Sequence, residues 1–336
     1  MKQINTDVLI IGAGPVGLFS VFQLGQLGIK SCVVDSLDKI GGQCAELYPE
    51  KPIYDIPGYP LILAQDLVNN LMSQIEPFNS TIFLKQRVEK VSPSNGEFSI
   101  DTSEGKKIVA KCIFIAAGNG VFGPNKPPLT NIDEFENKSV FYSVNLKEKF
   151  KDKTLAIAGG GDSAVDWAIE LSKIAKKIYF IHRRTKLRAA QGNVKILNEL
   201  SDKKLVEMVI PYQIDSLIGQ NGMIEKLVVR DLEERKLELA IDFFLPFYGL
   251  STELGPISNW GLELEKKILK VNQTSCQTSE DGIYAIGDIC NYPGKLKLIL
   301  SGFSEAAIAS HHCFNRIFPN KSLHFEYSTT KGINKF

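Results

Sequence analysis

Two stretches of the chain share one pattern: an apolar run of strand length, then glycines, then apolar positions at helical spacing. They span residues 7–35 and 154–184. The positions that predict a buried helix face are Val16, Phe19, Leu24 and Leu27 in the first stretch and Ala164, Ala168, Leu171 and Ile174 in the second. Strands that alternate with helices in this way build a parallel sheet, so each stretch predicts a strand–helix–strand unit.

Other parts of the chain alternate apolar and polar residues. Residues 78–118 and 214–249 have this period of two and predict antiparallel strands, with a hairpin turn at Asn221–Gly222. Near the C-terminus, a predicted strand ends at Gly287-Asp288, and a helix is predicted from about Phe303. The 336 residues are enough for about two domains, and the pattern predicts an α/β protein.

Composition excludes several classes of protein. The formal net charge of +1 argues against nucleic acid as the main partner, because nucleic-acid binding favours a clearly basic chain. No apolar run approaches the roughly 20 residues of a membrane span. The six cysteines are thinly spread and none forms a CxxC pair. They predict reduced thiols of a cytoplasmic protein. The four histidines show no ligand spacing with the cysteines, so no metal site is expected.

The first glycine motif predicts a dinucleotide site. Gly12, Gly14 and Gly17 have the G-x-G-x-x-G spacing. In order, they allow a tight turn, close approach of the backbone to a pyrophosphate, and close packing of helix on strand. Asp35 ends the next predicted strand, where it could accept hydrogen bonds from a ribose. The alternative is a glycine turn that binds no ligand.

The second motif predicts a second nucleotide and indicates which one. Gly159, Gly161 and Ala164 form the G-x-G-x-x-A variant, and Asp162 and Ser163 lie within it. No acid ends the following strand. Basic side chains stand there instead: His182, Arg183, Arg184 and Arg188. Arginine binds a 2′-phosphate in a two-pronged manner, so NADP is predicted instead of NAD. The alternative is a set of solvated surface charges.

The order of these motifs resembles that of the two-dinucleotide flavoproteins of the thioredoxin reductase-like group. In that group the first glycine motif binds the ADP part of FAD, and a Gly-Asp near the C-terminus holds the ribityl chain. The resemblance covers essentially the whole chain. It implies two Rossmann-like dinucleotide-binding domains, with the NADP domain at 119–249 inserted into an FAD domain at 1–118 and 250–336.

Both places where disulfide reductases of this superfamily keep their dithiol are empty. In one arrangement, Cys44 would be the first cysteine of C-x4-C, but Pro49 occupies the second place. In the other, residues 143–146 would hold C-x-x-C, and they read Ser-Val-Asn-Leu. A single cysteine cannot form an internal disulfide, so disulfide reductase activity is not expected.

The remaining motifs resemble the thioredoxin reductase-like ferredoxin–NADP reductases. The stretches that carry this resemblance are "GGQCAELYPEKPIYDIPGYP", "GGGDSAVDWAIEL", "HRRTKLRA", "GDICNYPGKLKLILSGFSEAA" and "EYSTTKG". The resemblance implies FAD contacts from Asp35, Gln43, Tyr48, Val88, Phe122, Asp288 and Thr329. It also implies that Tyr48 stacks on one face of the isoalloxazine ring and Tyr327 covers the other. Other roles remain open: a core or hinge position for Tyr48, no site role for Tyr327, and capping of the C-terminal helix for Asp288.

The expected function is therefore electron transfer between NADPH and ferredoxin or flavodoxin through FAD, without a redox-active disulfide. An NADPH oxidase or diaphorase that reduces oxygen or quinones is the alternative enzyme. A nucleotide-binding redox sensor is the non-catalytic alternative. The resemblance also implies a homodimer.

Overall fold

The computed structural model describes residues 3–323 and 327–333, with the backbone alone at residues 121, 122, 250–252, 328 and 331. The strands are β1 (Ile4–Ile11), β2 (Ser31–Val34), β3 (Pro52–Ile53), β4 (Ile62–Leu63), β5 (Thr81–Phe83), β6 (Val88–Ser94), β7 (Glu97–Thr102), β8 (Lys107–Ile115), β9 (Val121–Pro124), β10 (Thr154–Ala158), β11 (Lys177–Ile181), β12 (Val206–Val209), β13 (Gln213–Gln220), β14 (Met223–Arg230), β15 (Lys236–Ala240), β16 (Phe243–Pro246), β17 (Leu250–Glu253), β18 (Leu264–Glu265), β19 (Ile268–Lys270), β20 (Ile283–Ala285) and β21 (Cys290–Asn291). The helices are α1 (Pro15–Gln26), α2 (Gln43–Leu47), α3 (Ala64–Ile75), α4 (Ile132–Phe135), α5 (Asp162–Leu171), α6 (Gln191–Asp202), α7 (Ile299–Ile317) and α8 (Ser328–Lys331).

The chain divides into two compact units. Unit 1 contains Met1–Val121 and Thr252–Phe336, and unit 2 contains Phe122–Ser251. The boundaries fall inside β9 and β17, which pair with each other. They lie a few residues beyond the sequence-based boundaries, because those were placed at glycines and the paired strands follow the glycines.

The main sheet of unit 1 has the strand order β5-β2-β1-β8-β7-β6, and β20 also pairs with β8. The pairs formed by β1, β2, β5, β8 and β20 are parallel, and β6, β7 and β8 pair antiparallel. Strand β8 combines two burial patterns: alternation of buried and more exposed residues, and a continuous buried run. Its first half alternates where β7 pairs with it, and its last four residues are all buried, where β1 and β20 flank it.

The core of unit 1 lies on both faces of this sheet. Val8, Ile10 and Phe114 point into a cluster that includes the buried faces of α1, α3 and α7. Leu9 and Ile113, their neighbours in sequence, point into a second cluster on the other face. Because side chains alternate along a strand, one run of apolar residues supplies both clusters.

Unit 2 is built on a parallel sheet with the strand order β12-β11-β10-β16, together with an antiparallel sheet of order β13-β14-β15. The predicted hairpin is confirmed. Asn221 and Gly222 connect β13 to β14 with φ angles of 55° and 82°, which are the positive values that such a turn needs.

Helix boundaries differ from the sequence-based ones. Helix α7 begins at Ile299, not near Phe303, and Gly302 lies within its first turn, where a Cβ would overlap the side chain of Val16 in α1. Leu27 and Ile174 lie just beyond the last residues of α1 and α5. Among the described residues, no helix has the length and apolar character to cross a bilayer.

Candidate functional site

In the first glycine motif, protein atoms occupy the space beside two of the three glycines, and the space beside the third is empty of protein atoms. A Cβ on Gly12 would overlap the Ala116 carbonyl, and a Cβ on Gly17 would overlap the Gly12 carbonyl. A Cβ on Gly14 would have no neighbour closer than the Cα of Gly42, at 4.0 Å. The second glycine therefore leaves space above the N-terminus of α1, where a pyrophosphate would sit.

Asp35 lies at the end of β2, beside this loop. Its carboxylate accepts hydrogen bonds from the backbone N–H groups of Ala13, at 2.6 Å, and Leu37, at 2.8 Å. Burial raises the pKa of Asp35, and these two hydrogen bonds oppose that rise. Each oxygen keeps a lone pair that could accept from a ribose hydroxyl. Val88 packs with Val34 in the cluster on one face of the same sheet.

The glycine pair of "GGQC" lies against the first motif. The backbone N–H of Gly41 donates to the Ala13 carbonyl at 2.9 Å. A Cβ on Gly42 would stand 3.1 Å from the Cα of Gly14. Both glycines have positive φ angles, 116° and 55°, so the chain can turn sharply into α2. The side chain of Gln43 then lies beside Gly118, where its Nε2 would be 3.4 Å from a Cβ.

Tyr48 follows α2 and joins a group with Cys44 and Asp288. The Cys44 thiol donates to the Tyr48 hydroxyl at 3.8 Å. Burial raises the pKa of Cys44 to about 11, and the nearby carboxylate of Asp288 adds to the rise. Burial also raises the pKa of Tyr48, with a smaller contribution from Asp288. The structure thus brings the Tyr48 and Asp288 side chains near each other, both neighbours of one thiol.

Asp288 does not cap the C-terminal helix. It lies in a 3-10 turn, Gly287–Ile289, and the N-cap of α7 is Leu298. Gly287 has a φ of 78°, which favours glycine, and it packs against Val16 in the first turn of α1. The turn therefore carries Asp288 to the first glycine loop, and the capping alternative is wrong.

The second glycine motif repeats this arrangement in unit 2. A Cβ on Gly159 would stand 2.6 Å from the Phe247 carbonyl oxygen and 2.7 Å from the Ala164 Cβ. A Cβ on Gly161 would meet nothing within 4 Å. As in the first motif, the second glycine faces open space at a helix N-terminus. Ser163, in the first turn of α5, is exposed.

The basic loop after β11 is tied to this motif at two points. The N–H of Arg188 donates to the Gly160 carbonyl at 2.7 Å, and the N–H of Ala190 donates to the Asp162 carboxylate at 2.9 Å. Arg183, Arg184 and Arg188 are exposed, and none forms an ion pair with another described residue.

His182 packs directly on the second motif, because a Cβ on Gly160 would overlap its ring. Burial lowers the pKa of His182, a hydrogen bond with the Lys186 backbone opposes this, and the neighbouring arginines lower it further. The ring therefore favours its neutral form. Its Nε2 is buried and has no hydrogen-bond partner among the described residues. A ligand atom could supply that partner.

One residue of this unit was missed by the sequence analysis. Tyr248 follows β16 and is 39% exposed, but the protein atoms around its hydroxyl raise its pKa to about 12, while nearby Arg183 lowers it. The carboxyl ends of the parallel strands β10, β11 and β16 meet at one edge of the sheet, where nucleotides bind. The prediction of antiparallel strands for residues 214–249 is wrong for β16, which pairs in parallel with β10, so the sequence analysis did not place a site at its end.

The tail residues lie elsewhere. Thr329 lines a cavity of about 340 Å³ together with Phe22, Gln26, Ser73, Gln74, Pro77, Gly332 and Ile333. These positions include the C-terminal ends of α1 and α3. Helix α1 has 12 residues, so at 1.5 Å per residue its two ends are roughly 18 Å apart. The structure thus does not bring Thr329 to the first glycine motif. Tyr327 is 69% exposed, and the side chain of Phe122 lies outside the described atoms.

The residues present fit two dinucleotides. Each motif leaves its second glycine open, Asp35 has spare acceptor capacity, and three arginines lack ion-pair partners among the described residues. No group of three or more His, Cys, Asp or Glu side chains within 3–323 and 327–333 is arranged to hold a metal.

Comparison with known proteins places these features in a family. The family model described as pyridine nucleotide-disulphide oxidoreductase matches residues 6–310. The ferredoxin–NADP reductase of Anaplasma phagocytophilum (strain HZ) is 53% identical over 328 residues, 97% of each chain. That of Rickettsia rickettsii (strain Iowa) is 52% identical over 331 residues, 98% of this chain and 97% of the relative.

A solved structure shows the same fold at lower identity. The crystal structure of T. acidophilum thioredoxin reductase superposes with a TM-score of 0.79 and 21% identity, covering 93% of this chain and 98% of that one. Because the family model spans most of the chain and the two relatives are more than half identical over nearly its full length, the chain belongs to the pyridine nucleotide-disulphide oxidoreductases and, among them, to the ferredoxin–NADP reductases.

Proposed function

We propose that this protein transfers electrons between NADPH and ferredoxin, or flavodoxin, through FAD. Unit 1 would hold FAD and unit 2 would hold NADP(H). The observation that carries the proposal is the combination of two complete dinucleotide motifs with cysteines that cannot relay electrons. When bound, FAD takes up a hydride from NADPH and can release the electrons singly.

The cysteines exclude an internal disulfide relay at the site. All six are free and buried. Cys44 is 2% exposed, and burial raises its pKa to about 11, so the reactive thiolate is disfavoured. Cys112 and Cys313 lie side by side, but both are fully buried in the core between β8 and α7. Electrons would therefore leave the flavin for a separate carrier.

The side chains of the protein would mainly bind and orient. Asp35 would hold the adenosine ribose of FAD, and Asp288 the ribityl chain. Tyr48 would stack on one face of the ring and exclude water, which is worth roughly 0.5–1.5 kcal/mol beyond burial. Gln43 and Val88 would complete the FAD contacts, and Phe122 and Thr329 remain proposed contacts from the family resemblance alone.

NADP(H) would bind at the second motif, through Gly159, Gly161, Asp162, Ser163 and Ala164. The 2′-phosphate would lie on the basic loop formed by His182, Arg183, Arg184 and Arg188. Hydride transfer needs the nicotinamide placed near the flavin and no acid–base side chain, so placement would be the main contribution of the protein.

We also propose a cytoplasmic homodimer, with support of different kinds. Six free thiols are typical of a reducing compartment. The homodimer rests on the family resemblance. In addition, Thr329 lies at the end of α1 opposite the glycine motif. Tyr327 and Thr329 would then reach a flavin only if the tail moved or belonged to a second copy.

Two measurements test the function. In stopped flow, NADPH should bleach the flavin within a turnover, and failure to do so would favour the redox sensor. In steady state, adding ferredoxin or flavodoxin should strongly increase NADPH-dependent reduction of cytochrome c. Equal rates with and without either carrier, together with rapid oxygen or quinone reduction, would contradict the proposal and support the oxidase or diaphorase.

A further inference from the structure

A buried carboxylate on α7 holds the turn that carries Asp288. Glu305 is 2% exposed. Its Oε2 accepts from the Gly287 backbone N–H at 2.7 Å, and its Oε1 accepts from the Tyr292 hydroxyl at 2.7 Å. The Cys290 thiol donates to the Gly287 carbonyl at 3.3 Å and lies 3.6 Å from Oε2. One side chain thus joins α7 to both ends of the segment 287–292.

Lys295 supplies the opposite charge. Its ammonium group donates to Oε1 of Glu305, and the two side chains are 2% and 3% exposed. The other ion pairs between described residues of unit 1 are more exposed, for example that of Lys111 with Asp7, whose side chains are 36% and 19% exposed. Removing a charged pair from water costs more than the attraction usually returns, so such a pair is weak evidence for stability alone. A role in the site would explain why both charges are buried here.

The location supports that role. Gly287 is covalently joined to Asp288, and the charge of Asp288 is felt by both Cys44 and Tyr48. Gly287 also packs against Val16 at the start of α1, and Gly302, one turn before Glu305, fits against the same valine. The Glu305–Lys295 pair therefore stands directly behind the proposed flavin contacts, on the protein side of the turn.

We propose that Glu305 and Lys295 act together as positioning residues for the flavin: Glu305 fixes the turn that presents Asp288, and Lys295 balances the charge of Glu305 behind that turn. This inference rests on the proposed function, since it needs FAD in unit 1. Because reduction adds negative charge to the flavin, an unbalanced charge behind the turn changes how readily the flavin is reduced. Buried charges act strongly at such short range.

The test uses the holoenzyme and measures the midpoint potential of its flavin by equilibration with a reference dye. Lys295→Met leaves the Glu305 carboxylate unbalanced and should shift the potential down. Glu305→Gln keeps an acceptor for Gly287 but leaves the ammonium unbalanced, and should shift it up. The double variant K295M/E305Q removes both charges and should return the potential close to the wild-type value. A purely structural role would not give shifts of opposite sign.

FAD binding to the apoprotein gives a second readout. Glu305→Ala removes the acceptor and should weaken FAD binding roughly tenfold, in the range expected for an orphaned buried donor. Lys111→Met is the control and should change neither the potential nor the affinity. If a single-charge variant fails to fold, the neutral double variant still tests the pair, because it should bind FAD with near wild-type affinity.

Several results would overturn the inference. They are single-variant shifts of the same sign, a shift in only one variant, no shift at all, or a double variant that binds FAD as weakly as E305A. The proposed function fails differently, because the wild-type protein itself would then not bind FAD or would not be reduced by NADPH.

Discussion

At the residue scale, the glycines of the two motifs differ in what surrounds them. The difference appears when a Cβ is added to each glycine and its nearest atoms are compared. Gly12, Gly17 and Gly159 are small because protein atoms occupy the space beside them. Gly14 and Gly161 have no protein atom closer than 4.0 Å to an added Cβ, as expected if the pyrophosphates bind there under the proposed function. The spacing alone predicts three small positions, and the structure separates those that pack against protein atoms from those that face open space.

The second motif offers a direct comparison of neighbouring glycines. Gly160→Ala would drive a methyl group into the ring of His182, so it should lower the free energy of unfolding by about 1–3 kcal/mol. Gly161→Ala meets open space and should change it by no more than about 0.5 kcal/mol. Thermal or urea unfolding of both variants measures this.

For NADP affinity, we expect the variant that is the more stable of the two to show the clear loss. Gly161→Ala, although stable, should weaken NADP binding roughly tenfold, a loss of about 1.4 kcal/mol, because its methyl group stands where the pyrophosphate approaches. Titration calorimetry checks this. If G161A bound NADP like the wild type, the nucleotide would not lie on this loop.

The arginines give a prediction about cofactor choice. Each charge-assisted hydrogen bond to the 2′-phosphate is worth about 1.5–3 kcal/mol, so Arg183→Ala with Arg184→Ala should raise the KM for NADPH tenfold or more. The KM for NADH should change little, because NADH lacks that phosphate. Steady-state kinetics with each cofactor measures the ratio.

The control for this pair is Lys203→Ala, an exposed cation after α6. It should leave both KM values unchanged, and all variants should keep their FAD. Equal increases for NADPH and NADH in the arginine variant would mean that the phosphate is recognised elsewhere. The arginines can be proposed from the sequence because their charge belongs to the residues themselves, whereas the packing of His182 on Gly160 depends on how the loop folds back.

At the element scale, the position of α7 depends on a fit between two helices that no local pattern reveals. Gly302 faces Val16, and a methyl group at 302 would overlap the valine side chain. The sequence pattern predicted this helix only from about Phe303, one residue after the glycine. The role of Gly302 is close approach of α7 to α1, which brings Gly287 and Asp288 to the first glycine loop.

Gly302→Ala should therefore separate the two helices. We expect a loss of about 1–3 kcal/mol in the free energy of unfolding, with weaker FAD binding. Adding Val16→Ala to this variant should restore part of the lost stability and part of the lost FAD affinity, because the smaller side chain leaves space for the new methyl group. Urea unfolding and FAD fluorescence titration measure the pair.

Ser304→Ala is the matched control, since Ser304 is exposed on the same helix. This variant should change neither the free energy of unfolding nor the affinity for FAD. A double variant G302A/V16A no better than G302A would show that the two side chains do not compete for one space.

At the scale of the whole molecule, unit 2 is inserted into the sequence of unit 1, between Val121 and Thr252. Two clusters of unit 1 contain residues from before Val121 and after Thr252 only, and one cluster of unit 2 contains residues between them. The strand–helix patterns predicted the parallel pairs β1–β2 and β10–β11, but the period of two wrongly predicted antiparallel pairing for β5 and β16. The assignment of β20 to the first sheet could not come from periodicity, because its partner β8 lies far away in sequence.

A chain with Phe122–Ser251 replaced by a short glycine–serine linker should therefore fold and bind FAD. It should show no reduction by NADPH, because the second motif is missing. Flavin content, circular dichroism and stopped-flow absorbance check the three statements. An insoluble or flavin-free product would mean that unit 1 needs unit 2 to form its core.

The burial of the cysteines has a practical consequence for anyone who wishes to attach a probe. Burial raises the pKa of Cys32 and Cys276 to about 12, and the pKa values of Cys290 and Cys313 are raised as well. The folded protein should therefore resist iodoacetamide, and the denatured protein should take up one label per thiol, as intact mass would record. A cysteine introduced at an exposed position such as Lys203 could then carry a spectroscopic label without removal of the native thiols.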